Sequence, residues 1–104
     1  MTHVPMGASA SLKKLGQDIC DARRRRRITM AMMSERAGIA PRTLSRIEKG
    51  DPATSVGAYA SVLFVLGMER RLGDLADPMN DPTGRMLDEE RLPKRIYYRR
   101  KQND

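Results

Sequence analysis

Apolar residues recur along much of this chain at spacings of three and four, the mark of helices packed on one side. Leu12, Leu15, Ile19 and Ala22 form a first stripe, with Ser9 or Ser11 placed to cap its helix. Ahead of it, residues 1–10 are small, contain Pro and Gly, lack periodicity, and read as a disordered lead-in. From Ile28 to Gly50 the pattern tightens into two short helices joined by a turn. Thr29 caps the first, and Met30, Met33, Ser34 and Ala37 fall on its inner side. Gly38 supplies the left-handed residue that ends it. Pro41 opens the second helix where a missing N–H does no harm, Leu44 and Ile47 face inward, and Gly50 marks its end. Met33, Ala37, Ile39, Leu44 and Ile47 are the core candidates of this stretch, and Ser34 is small where two helices must approach.

Asp51-Pro52 closes that unit. Thr54 or Ser55 caps a fourth helix whose inner face is Val56, Tyr59, Ala60, Leu63 and Leu66, with Phe64 beside them and Gly67 as its stop. Residues 68–76 predict a short fifth helix from Leu72 and Leu75; Gly73 weakens it, and a strand is the alternative. Its apolar residues have little left to cover in one chain, so Met68, Leu72 and Leu75 are expected to meet a second copy. After Asp77-Pro78 the chain changes character. Asp81 caps and Pro82 opens PTGRMLDEERL, with Met86, Leu87 and Leu92 as sparse apolar points and an acidic run, Asp88-Glu89-Glu90. Pro93 ends it. The expected organisation is a lead over 1–10, a helical domain over 11–76, and an extension with a basic tail over 77–104.

Composition narrows the function. At 104 residues the chain is one small domain with flexible ends, and so small a core makes oligomerisation reasonable. The single Cys20 allows no internal disulfide or cysteine metal site, and His3 stands alone. No catalytic group, metal or cofactor is expected, nor a membrane span or signal peptide, so the protein is placed in the cytoplasm. A net charge of +7 favours an anionic partner, nucleic acid before membrane. The outer face of the Pro41 helix carries Arg42, Thr43, Ser45, Arg46 and Lys49, and a short helix with an arginine-rich edge suits a major groove. Arg23 to Arg27 are five arginines in a row, read either as phosphate contacts or as a solvated helix end complementing the dipole. Five successive residues point all around a helix, so one or two phosphate contacts are expected. Asp21 and Arg25 make an i,i+4 pair, and Glu48 bonds locally or pairs with an arginine.

The run ITMAMMSERAGIAPRTLSRIEKG resembles the helix-turn-helix of Xre/Cro-type bacterial repressors. Ile28, Thr29, Ala37, Gly38, Ile39, Leu44, Ser45, Ile47, Glu48, Lys49 and Gly50 stand in matching places. The resemblance implies an all-α, four- to five-helix, lambda-repressor-like domain with a C-terminal helical extension. It also implies base contacts through Arg42 and Arg46, with either arginine reaching only phosphate as the alternative. Pro41 is a candidate for a thymine methyl. Thr29, Met30, Thr43, Ser45, Lys49, Arg26 and Arg27 are the candidates for the DNA backbone. Three residues depart from the pattern: Met30 where Gln is usual, Ala40 where Ser or Thr caps the recognition helix, and Arg27 near a customary Gly.

The second half, LGDLADP followed by DPTGRML and ERLPKR, is similar to the HipB-like antitoxins of HipA-type kinase toxins. That resemblance implies a homodimer on a palindromic operator, with two recognition helices about 34 Å apart, repression of its own operon, and a kinase toxin as partner. The tail KRIYYRRK is read as a solubilising tail, a DNA grip or a docking segment, and Ile96, Tyr97 and Tyr98 favour docking. A free-standing Xre-type regulator and a protein-interaction adaptor without operator binding are the other readings; an enzyme is not expected.

Overall fold

The computed structural model describes residues 3–91, and among them every regular element is helical. They divide into two compact units between Leu72 and Gly73. The first holds α1 (Met6–Arg25), α2 (Met30–Ala37), α3 (Pro41–Glu48), α4 (Val56–Val65) and most of α5 (Glu69–Gly73). The second holds a 3-10 turn, Pro78–Asn80, and α6 (Pro82–Arg91).

The core of the first unit is assembled from every one of its four main helices. Ile19 and Ala22 of α1, Met33 of α2, Leu44 and Ile47 of α3, and Tyr59, Val62, Leu63 and Leu66 from α4 and its cap form one buried cluster with Ile28. Each fully buried aliphatic side chain contributes about 1.5–3 kcal/mol of transfer free energy. Leu15, Met30, Ala37 and Ile39 pack at the edge of this cluster.

Several expectations change. Helix α1 begins at Met6, not at a Ser9 or Ser11 cap, and the residue before it, Pro5, makes no side-chain capping bond. Ala8 and Ala10 are strong helix formers, and the Ser9 N–H already reaches the Pro5 carbonyl at 2.9 Å. Asp21 accepts from Gln17 at 3.0 Å, one turn back, instead of pairing with Arg25. On α4, Val56 and Phe64 are both 69% exposed, while the unassigned Val62 is fully buried. This helix is apolar nearly all round, so spacing alone does not choose its inner face. Val56 also sits in the first turn, where side chains lean N-terminally and overhang the packed region.

Residues 69–73 are helix, not strand. Met68 and Leu72 pack against the chain's own core, so the fifth helix does have a surface to cover within one copy, while Leu75 is 73% exposed. In the second unit, Asp77 caps the 3-10 turn through the Met79 N–H, and Asp81 caps α6 through the Gly84 N–H as expected. No residue of α6 is buried. Leu92, Pro93 and the tail, with Ile96, Tyr97 and Tyr98, lie outside the described residues. No helix among the described residues is long and apolar enough to cross a membrane.

Candidate nucleic-acid interface

Helix α2 starts and stops where its residues require. The Thr29 side-chain oxygen accepts from the Met32 N–H at 3.1 Å, and Gly38 ends the helix at φ 69°. Ser34 is buried and returns its hydroxyl to the Met30 carbonyl at 2.9 Å, so no polar atom is left unpaired at the close α2 approach. After Ile39 the chain turns into α3, with Pro41 at its start and Ala40 providing no side-chain cap.

Two devices hold α3 by its back and its C-terminal end. The first is steric. A methyl group built on Gly16 of α1 would stand 2.5 Å from the Ile47 carbonyl oxygen and 2.6 Å from the Gly50 nitrogen. Only a residue without Cβ permits this crossing, and Gly50 is likewise pressed on α1 at φ 74°. The second is ionic. Arg23 of α1 donates through Nε to Glu48 Oε2 at 2.7 Å and through Nη2 to Oε1 at 3.2 Å. Its Nη1 takes the Ile28 carbonyl at 2.8 Å. The two side chains are only 8% and 10% exposed. A two-bonded fork whose third nitrogen is also hydrogen-bonded is the geometry in which a buried pair holds. The Glu48 carboxylate pushes the Arg23 pKa upward, and burial does the same to the Cys20 thiol, which lies 3.8 Å from Arg23 Nη2.

The five arginines are thus divided by the fold. Arg23 is structural, and Glu48 is the arginine partner anticipated. Arg26, though exposed, donates to the Ala22 carbonyl at 2.9 Å and to the Leu66 carbonyl at 3.3 Å, binding the ends of α1 and α4. Arg24, Arg25 and Arg27 are exposed. Arg27 adopts φ 56°, the left-handed conformation that explains why glycine is customary near this point.

The front of α3 presents Pro41, Arg42 and Arg46 exposed, with Thr43 and Ser45 half-buried between them and Lys49 exposed at the C-cap. No side-chain hydrogen bond or ion pair holds Arg42 or Arg46 among the described residues. Thr29 is exposed, whereas Met30 is half-buried and packed on the core. Of the residues expected to pair two copies, Met68 and Leu72 are partly buried and Leu75 is exposed.

Beside Arg46 lies an open cleft of about 570 Å3, bounded by Thr43, Arg46, Asp51, Ala53, Thr54, Ser55 and Ala58. Asp51 organises its far wall. Its carboxylate accepts from the Thr54 hydroxyl at 2.6 Å and the Ala53 N–H at 3.3 Å, and its carbonyl receives the Tyr59 hydroxyl at 2.9 Å. The Thr54 and Ala53 hydrogen bonds, with the nearby Arg46 charge, hold the Asp51 carboxyl below its ordinary pKa. Burial, with Asp51 close by, raises that of Tyr59. The Thr54-Ser55 wall beside Arg46 is not among the residues expected from the sequence; the bonds of Asp51 with Thr54 and Tyr59 bring it there. Among the described residues no group of three or more His, Cys, Asp or Glu is placed to hold a metal ion.

These two helices, the α1 residues that clamp them and the start of α4 form a helix-turn-helix unit. Residues 21–61 match the family model described as Helix-turn-helix, of Xre/Cro type. In this segment the chain is similar to DNA-binding transcription regulators. A search of the curated proteins gives no match.

Proposed function

We propose that the protein is a sequence-specific operator-binding repressor that reads DNA through α3. The observation that carries this is the division of α3. Leu44 and Ile47 are fully buried and Glu48 is clamped, while Arg42 and Arg46, one turn apart on the front, are exposed and bonded to no side chain among the described residues. Arg42 and Arg46 take base edges, with Pro41 against a thymine methyl. Thr29, Thr43, Ser45, Lys49 and Arg27 face the sugar-phosphate backbone, where Met30 offers only its main chain and Arg26 is held by the Ala22 and Leu66 carbonyls. The uncapped start of α3 favours a phosphate there, because the first-turn N–H groups and the helix dipole attract anions. Two copies on a palindromic operator complete the reading, at work on the nucleoid in the cytoplasm.

Selection of binding sites from random duplexes, followed by anisotropy titration, tests this. Arg42→Ala and Arg46→Ala should each cost roughly 1–3 kcal/mol of preference for the selected site over scrambled DNA. Unchanged preference in both variants would leave the interaction-adaptor reading standing instead.

A finer reading rests on the resemblance of residues 72–95 alone: an antitoxin that represses its own operon and neutralises a HipA-like kinase toxin, with Ile96, Tyr97 and Tyr98 as docking residues. Affinity capture of the tagged chain at native expression decides it. A stoichiometric kinase-like partner supports the antitoxin, and capture of the homodimer alone leaves a free-standing regulator.

A further inference from the structure

Phe64 projects from the outer face of α4 at the edge of a shallow groove of about 360 Å3, whose other walls are Arg36, Ala37, Ala60, Ser61 and Glu69. Val56 lies two turns earlier on α4 and is equally exposed, with the small Ala60 and Ser61 next to Phe64 in the groove wall. A large ring therefore stands beside a depression floored by small side chains. The rim is charged with opposite signs: Arg36 in the last turn of α2 and Glu69 at the start of α5. The ion pairs formed among the described residues are Lys14–Asp18 and Arg23–Glu48, so neither rim charge is neutralised by the other.

We propose that this face pairs with a second copy of the chain. In an isologous contact, Phe64 of each copy enters the other's groove, and Arg36 of each meets Glu69 of the other. A two-fold axis lays a surface upon itself, and a knob beside a hole, flanked by one charge of each sign, is complementary to its own image. Of the three residues expected to meet a second copy, Met68 and Leu72 are engaged on the core, which leaves Leu75 alone exposed and without the groove and charges of this face. The contact also leaves α3 free. Ala58 of α4 faces the cleft beside Arg46, whereas Ala60, Ser61 and Phe64 face the groove. Its purpose, presenting two α3 helices at once, rests on the operator-reading proposal; the surface argument does not.

The test is sedimentation equilibrium of the full chain over a wide concentration range, for wild type, Phe64→Glu, Arg36→Glu, Glu69→Arg and the double charge exchange. We expect a reversible dimer, weakened about tenfold or more by Phe64→Glu and several-fold by either single exchange, and recovered in the double exchange. Recovery cannot arise from misfolding, and Phe64 is exposed enough for its variant to fold. A wild type that stays monomeric, or a dimer indifferent to all four variants, overturns the proposal. Titration with single half-site DNA separates the two ideas. A monomeric variant that still binds the half-site preserves the DNA reading whatever the dimer does. A wild-type dimer that binds no DNA sinks that reading alone.

Discussion

Arg23 shows how far one residue's neighbourhood can redirect its chemistry. Its sequence setting is a run of five identical cations, yet it continues the stripe of Ile19 by one helical turn and therefore turns inward to Glu48. Replacing Arg23 by Ala would leave a buried carboxylate unpaired, at a cost of about 3–5 kcal/mol; Arg23→Met combined with Glu48→Leu should recover most of it. Urea unfolding of the three proteins checks this, and equal losses in single and double variants would refute it. Asp51 gives a pH-dependent counterpart. Its carboxyl is more acidic folded than unfolded, so it stabilises the fold when ionised. That contribution is complete above the unfolded pKa of about 3.9 and fades as pH falls through the lower folded value. Asp51→Asn should accordingly have a lower urea midpoint than wild type near neutrality, with the difference narrowing toward pH 3.

At the scale of elements, α3 is held unevenly. Its C-terminal end is gripped by Gly16 and Arg23, while its first turn has only Pro41 to start it and no side-chain cap. Ala40→Ser should supply the absent bond and raise stability by about 0.5–1 kcal/mol, seen as a rise of a few degrees in melting temperature. The helices around this site were legible because their signals are local: Thr29 as cap, Gly38 as stop, Pro41 as start, Leu44 and Ile47 one turn apart. What stayed illegible depends on partners distant in sequence. Nothing near Gly16 announces that Ile47 and Gly50 will press on it. A uniform arginine run conceals which member faces inward. Helix α4, apolar on every side, does not disclose that Val62 is buried while Phe64 is in water. The α3 front was legible as an arginine-bearing face, but the Thr54-Ser55 wall was not, because it is brought there by the bonds of Asp51 and Tyr59.

Across the whole molecule, the buried cluster lies entirely before Gly73, and the described extension buries nothing in α6. A chain ending at Leu72 should therefore unfold cooperatively with a melting temperature close to that of the full protein. A peptide of residues 73–91 should show little helix by circular dichroism, since isolated helices of about ten residues are marginal in water. A broad, non-cooperative transition in the shorter chain would show that the core needs the extension. The charge divides along the same boundary: the residues before Gly73 carry the whole excess of cations, while acidic and basic residues balance in number beyond it. The Arg23–Glu48 fork, finally, bears on how genetics would report on this protein. In a repression screen walking alanine through the five arginines, the deepest loss should come at Arg23, the member turned away from any operator. Its phenotype would be that of a repressor degraded or unfolded in the cell, rescued by lower growth temperature. Losses at Arg24, Arg25 or Arg27 would instead respond to salt and to operator copy number.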